Sequence, residues 1–328
     1  MCKRSLVASV LLGILLAATL LPASATAEAP DYLYQWGTYG HGNGQFDAPC
    51  GVAVDASGSV YVVEAYNARI QKFTVNGTYI TQWGHFGSCN GCFDIPHAVS
   101  VDASGNVYVA DSGNHRVQKF ASDGTYLAQW GTLGTGDGQF SFPYGVAADG
   151  SGRVYVADPE NNRVQVFDSD GTYLVQWGML GTGDGQFNKP IAVAVAVNGD
   201  VYVADLWNQR VQKFTSDRTY LTQWGTHGSG NGQFNYPSGL AVDGSGRVYV
   251  VDTQNYSIQV FASDGTYLTQ WGTRGSGNGQ FYDPLGVAVD GSGNVYVVET
   301  GNNRIQVFGS LPVAARSTRW GRIKALYR

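Results

Sequence analysis

Histidine and cysteine are the residues of this 328-residue chain whose side chains support the widest range of chemistry. The five histidines are His41, His85, His97, His115 and His227, and their spacing builds neither a three-histidine metal site nor a Ser–His–Asp arrangement. The sequence Cys89-Asn90-Gly91-Cys92 brings two thiols together, while Cys2 and Cys50 stand apart. These residues favour a disulfide or a metal site over hydrolytic chemistry.

A second recurrent feature is an acidic residue followed five positions later by arginine. The acids are Glu64, Asp111, Asp158, Asp205, Asp252 and Glu299. The corresponding later positions are Arg69, Arg116, Arg163, Arg210, Ser257 and Arg304. Such regularity favours a structural role, in which each carboxylate and guanidinium make bidentate contacts between strands or between blades, the repeated sheets of the fold predicted below. A catalytic role is disfavoured because it needs an asymmetric site. Asp252 is expected to lack a charge partner because Ser257 replaces the arginine.

The elements that position these residues form a tandem repeat with a period set by tryptophan. Trp36, Trp83, Trp130, Trp177, Trp224 and Trp271 are each 47 residues apart, and the residues around them recur without insertion or deletion. Six units cover residues 32–313 almost completely. A fixed period of this size indicates a solenoid or a propeller.

The content of one unit decides between these two architectures. Glycine, proline and Asp-Gly interrupt every run that could become a helix. Four short runs rich in Val, Tyr and Phe remain in the third unit, at 146–148, 154–157, 164–167 and 173–177. Four antiparallel strands per unit, repeated six times, predict an all-β, six-bladed β-propeller.

The repeated sequence resembles a known family. The pattern P-x-G-V-A-V-D-x-S-G-x-V-Y-V-x-D-x-x-N-x-R-V-Q-x-F, followed by Y-L-x-Q-W-G and G-x-G-x-G-Q-F, is similar to the NHL repeat in all six units. The resemblance implies a six-bladed propeller but no single function, because related propellers include protein-binding and RNA-binding modules, sensor domains, amidating lyases and lactone hydrolases.

The two ends of the chain differ in sequence from the repeats. Residues 1–27 combine Lys3 and Arg4, an apolar run and small residues at two cleavage sites, which is typical of a signal peptide. We therefore expect residues 28–310 to form the propeller and residues 311–328 a basic tail, in a secreted or periplasmic, cell-envelope protein whose mature chain has no transmembrane segment. The mature chain has 18 basic and 25 acidic residues, which disfavours nucleic acid as a partner.

The N-terminal run Tyr32–Trp36 has the sequence of a fourth strand with no blade before it, whereas the last unit ends with a third strand at 305–308. We predict that these two runs pair and close the ring, which removes exposed sheet edges. A weaker alternative is the run Thr318–Gly321, which faintly resembles Gln-Trp-Gly.

Loops joining strands two to three, and four to the next strand one, share one end of a propeller, which we call the top face. Comparison of the six units shows that the top loops vary, whereas the bottom turns are nearly the same apart from Ala196-Val197 and Arg218. One repeat position lies just before the first strand of each unit. Because the first strand is innermost in a propeller, the six residues at this position should surround the mouth of the central channel. They are Cys50, His97, Tyr144, Ile191, Ser238 and Leu285. Our candidate ligand-binding residues are Tyr66, His97, Tyr144, Trp207, Ser238 and Tyr256.

The three cysteines of the mature chain allow two arrangements. Export favours a local Cys89–Cys92 disulfide that leaves Cys50 free. The alternative is a structural zinc site formed by Cys50, Cys89, Cys92 and His97, because Cys50 and His97 occupy the same slot of adjacent blades.

Taken together, these features favour an exported binding or scaffold propeller that recognises a protein, peptide or glycan through its top face, with no cofactor. The alternatives are a channel-sited lyase or lactone hydrolase and a passive envelope protein. The resemblance implies several channel histidines for a lyase and channel acids for a lactone hydrolase; only His97 falls in the channel-mouth slot, and no acid does.

Overall fold

A computed structural model describes residues 28–310. The signal peptide predicted at 1–27, the basic tail at 311–328 and the alternative strand at 318–321 lie outside the described residues. Within residues 28–310, no helix has the length and apolar character needed to cross a membrane.

The described residues form six four-stranded antiparallel sheets arranged as a ring of blades. The innermost strands are β2 (Pro49–Val54), β6 (Pro96–Val101), β10 (Val146–Ala148), β14 (Pro190–Val195), β18 (Pro237–Val242) and β22 (Pro284–Val289). The second strands are β3 (Val60–Glu64), β7 (Val107–Asp111), β11 (Val154–Asp158), β15 (Val201–Asp205), β19 (Val248–Asp252) and β23 (Val295–Glu299). The third strands are β4 (Arg69–Phe73), β8 (Arg116–Phe120), β12 (Arg163–Phe167), β16 (Arg210–Phe214), β20 (Ser257–Phe261) and β24 (Arg304–Gly309). The outermost strands are β5 (Tyr79–Trp83), β9 (Tyr126–Trp130), β13 (Tyr173–Trp177), β17 (Tyr220–Trp224), β21 (Tyr267–Trp271) and β1 (Asp31–Trp36). The predicted six-bladed propeller with four antiparallel strands per blade is therefore confirmed.

The ring closes as the sequence predicted. Strand β1 pairs antiparallel with β24, so that Trp36 lies opposite Ile305 and Tyr32 opposite Phe308. The sixth blade thus contains β22, β23, β24 and β1. Closure leaves no blade with an unpaired third strand, which would otherwise be a template for association with another chain.

The conformations of the turns at the two faces are explained by the residues that form them. At the bottom face, Asp149 Oδ1 accepts hydrogen bonds from the backbone N–H groups of Ser151 and Arg153, at 2.8 and 2.9 Å, which fixes the turn between β10 and β11. At the top face, 3-10 turns join the second and third strands of blades two to five, at Ser112–Asn114, Pro159–Asn161, Leu206–Asn208 and Thr253–Asn255. Each of these turns ends in a residue with left-handed backbone, such as His115 or Tyr256.

The hydrophobic core lies between neighbouring blades. The second strands bury nearly every side chain because both of their faces are covered by adjacent sheets. Each repeat tryptophan reaches the next blade: the Trp130 ring packs beside Phe167, with ring centroids 5.8 Å apart. Gly171 allows this approach, because a Cβ there would lie 2.6 Å from the Trp130 ring in a backbone with φ of +92°.

Neighbouring innermost strands approach one another closely around the central channel. A Cβ on Gly239 would lie 2.4 Å from the Leu285 carbonyl oxygen, and one on Gly286 would lie 2.7 Å from that of Cys50. Glycine at these positions lets neighbouring inner strands make contact.

Candidate functional site

Each blade places one buried carboxylate where its second strand ends at the top face. In blade three, Asp158 is fully buried and accepts hydrogen bonds from the backbone N–H of Ser141 and from the side chains of Asn161 and Arg163. The Gln165 amide approaches the same carboxylate at 3.5 Å. The acid and the arginine were predicted from the sequence, whereas the asparagine and the glutamine were missed, although both recur at fixed spacing.

The acid–arginine contacts join neighbouring strands, which is one of the two expected arrangements, but only some of them are bidentate. They lie within one blade, between neighbouring strands, since Asp158 pairs directly with Arg163 in the β11–β12 register. Two-nitrogen contacts with the guanidinium occur where the acid is glutamate, as for Arg304 with Glu299 at 2.6 and 3.3 Å. The aspartates receive only Nε, as in blade three, where the other guanidinium nitrogens donate to loop carbonyls and a glutamine. These contacts hold the top loops in place.

The six channel-mouth residues line one central cavity, as predicted from their shared slot. The space there is about 500 Å³, including open solvent, and is lined by three successive residues of each blade, at or just before the start of its innermost strand. Its lining contains one histidine and no carboxylate among the residues that the structure describes.

His97 and Tyr144 make the most distinctive contact at this cavity. Their rings stack with centroids 3.9 Å apart, and His97 Nδ1 lies 2.9 Å from the Ser112 hydroxyl. Burial lowers the pKa of His97 to about 4 and raises that of Tyr144 above its ordinary value. Both rings are therefore neutral at pH 7, and a neutral imidazole that is held by a hydroxyl suits packing or hydrogen bonding.

The polar atoms of Cys50 and Ser238 make contacts with other groups of the protein. The buried Cys50 thiol lies 3.3 Å from the Pro96 carbonyl oxygen, and burial raises the pKa of Cys50 to about 12. The Ser238 hydroxyl bonds to Thr253 at 2.6 Å and donates to the Leu285 carbonyl at 3.2 Å. These polar atoms thus link adjacent blades around the channel.

The three candidate residues on the turns between second and third strands have different environments. Tyr66 is 73% exposed and Trp207 is 56% exposed. The Lys189 ammonium lies over the Trp207 ring at 5.6 Å. Tyr256 is only half-buried and holds the left-handed position before Ser257, with the Arg274 guanidinium 5.5 Å from its ring. Only the first two present most of their ring to solvent.

Cys89 and Cys92 form a disulfide, and Cys50 is free, as the first arrangement predicted. The proposed zinc site of Cys50, Cys89, Cys92 and His97 is wrong. The Cys50 thiol contacts the Pro96 carbonyl oxygen of the neighbouring inner strand, and the His97 ring is stacked on Tyr144. Within residues 28–310, the possible metal ligands that come together are His85, Cys89 and Cys92, with His85 Nε2 3.1 Å from Cys92 Sγ. His85 was missed, although it lies on the same loop.

Large exposed apolar residues concentrate on the top face. The loops of this face carry Tyr39, Tyr66, Phe86, Ile95, Leu133, Phe142, Met179, Leu180, Trp207, Tyr236 and Tyr282. The bottom turns carry only Val75 and Val197 among the described residues, and four more lie on the outermost strands. The top loops are longer than the bottom turns, but the difference in length is much smaller than the difference in exposed apolar residues.

Part of this set occupies a single repeat position. Tyr39, Phe86, Leu133 and Leu180 each lie three residues after a repeat tryptophan, and all are at least 63% exposed. We call these four residues the apolar arc, because they belong to four consecutive loops; His227 and Arg274 occupy the same position in the other two. The arc was not among the residues predicted from the sequence, although aligning the six units would have revealed it.

Comparison with known proteins agrees with this architecture. The family model described as NHL repeat matches residues 46–73, 93–120, 140–167, 187–214, 234–261 and 281–308. The chain belongs to the NHL-repeat family. No curated protein gives a significant match.

Three solved structures that share this fold have sequence identities of 14–20% to this NHL-repeat chain. One is a protein of unknown function from Bacteroides thetaiotaomicron, with 20% identity and a TM-score of 0.65, covering 84% of this chain and 76% of that one. A gluconolactonase from Xanthomonas campestris has 14% identity and a TM-score of 0.62, covering 87% and 96%. Virginiamycin B lyase from Staphylococcus aureus has 16% identity and a TM-score of 0.57, covering 80% and 84%. At these identities the likeness extends to the fold alone.

Proposed function

We propose that this NHL-repeat propeller is an exported scaffold that binds a protein partner through its top face. The observation that carries the proposal is the concentration of exposed apolar side chains there, including the apolar arc. Exposed apolar patches on soluble proteins mark interaction surfaces. The loops of the two faces also differ in charge: the bottom turns carry eleven acidic residues, whereas the longer top loops carry six.

The residue types favour a protein over a glycan. Sugar rings stack on aromatic faces, as Tyr66 and Trp207 would allow. The top loops, however, also expose the aliphatic side chains of Leu133, Met179 and Leu180, each at least 63% exposed. Mixed aliphatic and aromatic side chains are typical of surfaces that bury apolar protein residues.

The cavity supports an enzyme less well than the top face supports binding. Its polar side-chain groups are used by the protein itself: His97 contacts Ser112, Cys50 contacts a carbonyl, and Ser238 contacts Thr253. A hydrolase or lyase needs a nucleophile, a metal or a proton-transfer pair aimed at a substrate. Among the described residues, the channel lining contains no such set.

Export is supported by two independent features. Residues 1–27 have the pattern of a signal peptide, and Cys89 and Cys92 form a disulfide. Structural disulfides are typical of oxidising compartments.

The test is retention of proteins by the immobilised mature chain. Extracellular protein and polysaccharide fractions would be passed over the wild-type chain and over a triple variant with Phe86→Glu, Leu133→Glu and Leu180→Glu. We expect a retained protein whose binding falls at least tenfold in the variant, because a carboxylate buried against an apolar partner loses its hydration.

The matched control places the same three charges on exposed leucine and isoleucine residues of the outermost strands, each 46–47% exposed, with Ile80→Glu, Leu127→Glu and Leu174→Glu. These changes should leave retention unchanged. Equal loss in both variants, or retention of polysaccharide alone, contradicts a protein-binding top face.

A further inference from the structure

Five arginines of the propeller use their guanidinium groups in the same way. In blade three, Arg163 donates to Asp158 Oδ2 at 2.9 Å, to the loop carbonyls of Thr135, Gly136 and Gln139 at 2.7–2.9 Å, and to Gln176 Oε1 at 2.6 Å. Arg69, Arg116, Arg210 and Arg304 repeat this pattern with the equivalent residues. Each guanidinium thus donates to oxygen atoms of five residues: one acid, three loop carbonyls and one glutamine.

Blade five keeps this set of acceptors but lacks the arginine. Ser257 stands at the arginine position, and the five equivalent acceptors are Asp252, Ser229, Gly230, Gln233 and Gln270. Four of these match blade three in residue type, and the fifth contributes only a backbone carbonyl.

The backbone around these acceptors keeps the geometry of the other blades. Asp252 pairs with Ser257 in the same register as Asp158 with Arg163. The Gly230 N–H donates to Gln233 Oε1 at 3.0 Å, and Gly136 does the same to Gln139 at 2.9 Å. Gln259 donates to the Gln233 carbonyl at 2.6 Å, the distance found between Gln165 and Gln139. The loop is therefore held in position without arginine.

The Asp252 carboxylate, the charged member of this set of acceptors, has no cationic partner among the described residues. Asp252 is fully buried and receives hydrogen bonds from the backbone of Asn235 and the neutral side chains of Asn255 and Gln259. Each of the other five acids at this position has an arginine within 2.6–2.9 Å, whereas within residues 28–310 no cationic group forms a salt bridge with Asp252. Burial raises the pKa of Asp252, and a cation at this site would oppose that effect.

We propose that blade five carries a binding site for a guanidinium group, supplied by a small guanidinium compound or by an arginine side chain of another molecule. The site offers one carboxylate, three loop carbonyls and one glutamine oxygen, the set that binds guanidinium in the five other blades. The planar guanidinium of an arginine side chain has five N–H donors for these acceptors and the free guanidinium ion has six, whereas a lysine ammonium has only three. The arginine side chains at this position are 6–7% exposed, so a guanidinium bound there would be almost fully buried, with only an edge in contact with solvent. This inference does not rest on the proposed function.

The first test is calorimetric titration of the mature chain with guanidinium chloride, at concentrations well below those that denature proteins. We expect a saturable heat with one site for the wild type and none for Ser257→Arg, which supplies the group from within the chain. Calcium chloride and sodium chloride are titrated in parallel. Equal heats for wild type and Ser257→Arg, or saturable binding of calcium but not guanidinium, overturn the proposal.

The second test uses thermal unfolding and a matched variant in another blade. Guanidinium at about ten times its Kd should raise the Tm of the wild type by about 2 °C relative to that of Ser257→Arg measured at the same concentration, because the site exists only in the folded chain. Arg163→Ser recreates the blade-five arrangement in blade three, and its Tm should respond more strongly than that of the wild type because it has two such sites. No difference in response among the three chains contradicts a site at these positions.

The source of the group is decided by titrating L-arginine amide and a short arginine-containing peptide in the same way. Saturable binding of the peptide that is lost in Ser257→Arg identifies an arginine side chain of a partner. Binding of guanidinium without binding of either arginine derivative identifies a small compound. If guanidinium itself does not bind, both sources are excluded.

Discussion

His97 shows how one side chain can be placed in a candidate site and still serve packing. Its ring is stacked on Tyr144 and bonded to Ser112, which in turn donates to the carbonyl of Pro143 in the next blade. The same link between blades is made by Thr253 to Pro284 and by Thr300 to Pro49. Residues that vary between the six units at the channel mouth are therefore partly adapted to their neighbours, and variation alone does not mark them as ligand contacts.

The position of His97 predicts a pH dependence of stability. Its pKa falls to about 4 in the folded chain, whereas an unfolded histidine titrates near pH 6.5. The unfolded state binds more protons between these values, so stability is full above pH 6.5 and falls as the pH decreases toward 4, by up to about 3 kcal/mol. Chemical denaturation at a series of pH values would measure this slope. His97→Gln should remove that part of the slope; parallel curves for the two chains would contradict the assignment.

At the level of the element, the loop between β5 and β6 differs from the five equivalent top loops in the interaction that holds it. In the other five loops a glutamine side chain accepts a hydrogen bond from a glycine N–H three residues earlier, as for Gln45 and Gly42 at 3.0 Å. Cys92 and Cys89 occupy these two positions, so the disulfide replaces the hydrogen bond. This equivalence favours a structural role for the disulfide.

The double change Cys89→Gly and Cys92→Gln therefore restores the loop sequence of the other repeats. We expect the folded chain to lose only about 1 kcal/mol, because a disulfide across so short a loop contributes about 2 kcal/mol and the new hydrogen bond returns about 1 kcal/mol. Urea denaturation measures the difference. The single change Cys92→Ser, which removes the disulfide without supplying the amide, should cost more than the double change; the reverse order would contradict the replacement.

At the scale of the whole molecule, closure depends on one strand from the opposite end of the chain. Strand β1 brings Trp36 against Phe73 of the first blade and Tyr296 of the sixth, with ring centroids 5.8 and 6.4 Å apart. Arg304 also donates to Gln35 at 2.9 Å. The N-terminal strand therefore joins the last blade to the first.

Removing residues 28–36 should destabilise the propeller by about 4 kcal/mol or more, since it deletes a paired strand and a packed tryptophan and exposes the edge of β24. Thermal unfolding and size-exclusion chromatography would show a lower Tm and association of chains. A synthetic peptide of residues 28–36 should restore the monomer, whereas the same peptide with Trp36→Ala should be weaker. An unchanged Tm after the deletion would contradict closure by this strand.

The sequence by itself determined the repeat, the blade number, the strands and the closing pair, because these depend on short-range alternation and on a period of 47 residues. It also identified the disulfide, since Cys89 and Cys92 are close in the chain. Tertiary structure alone decided which groups each side chain contacts. Cys50 contacts a backbone carbonyl and Ser238 contacts Thr253, while His97 stacks on Tyr144 and His85 contacts Cys92. Distances across loops and between blades are set by how the sheets pack, and a repeat pattern records which residues share a position but not which atoms come within bonding range.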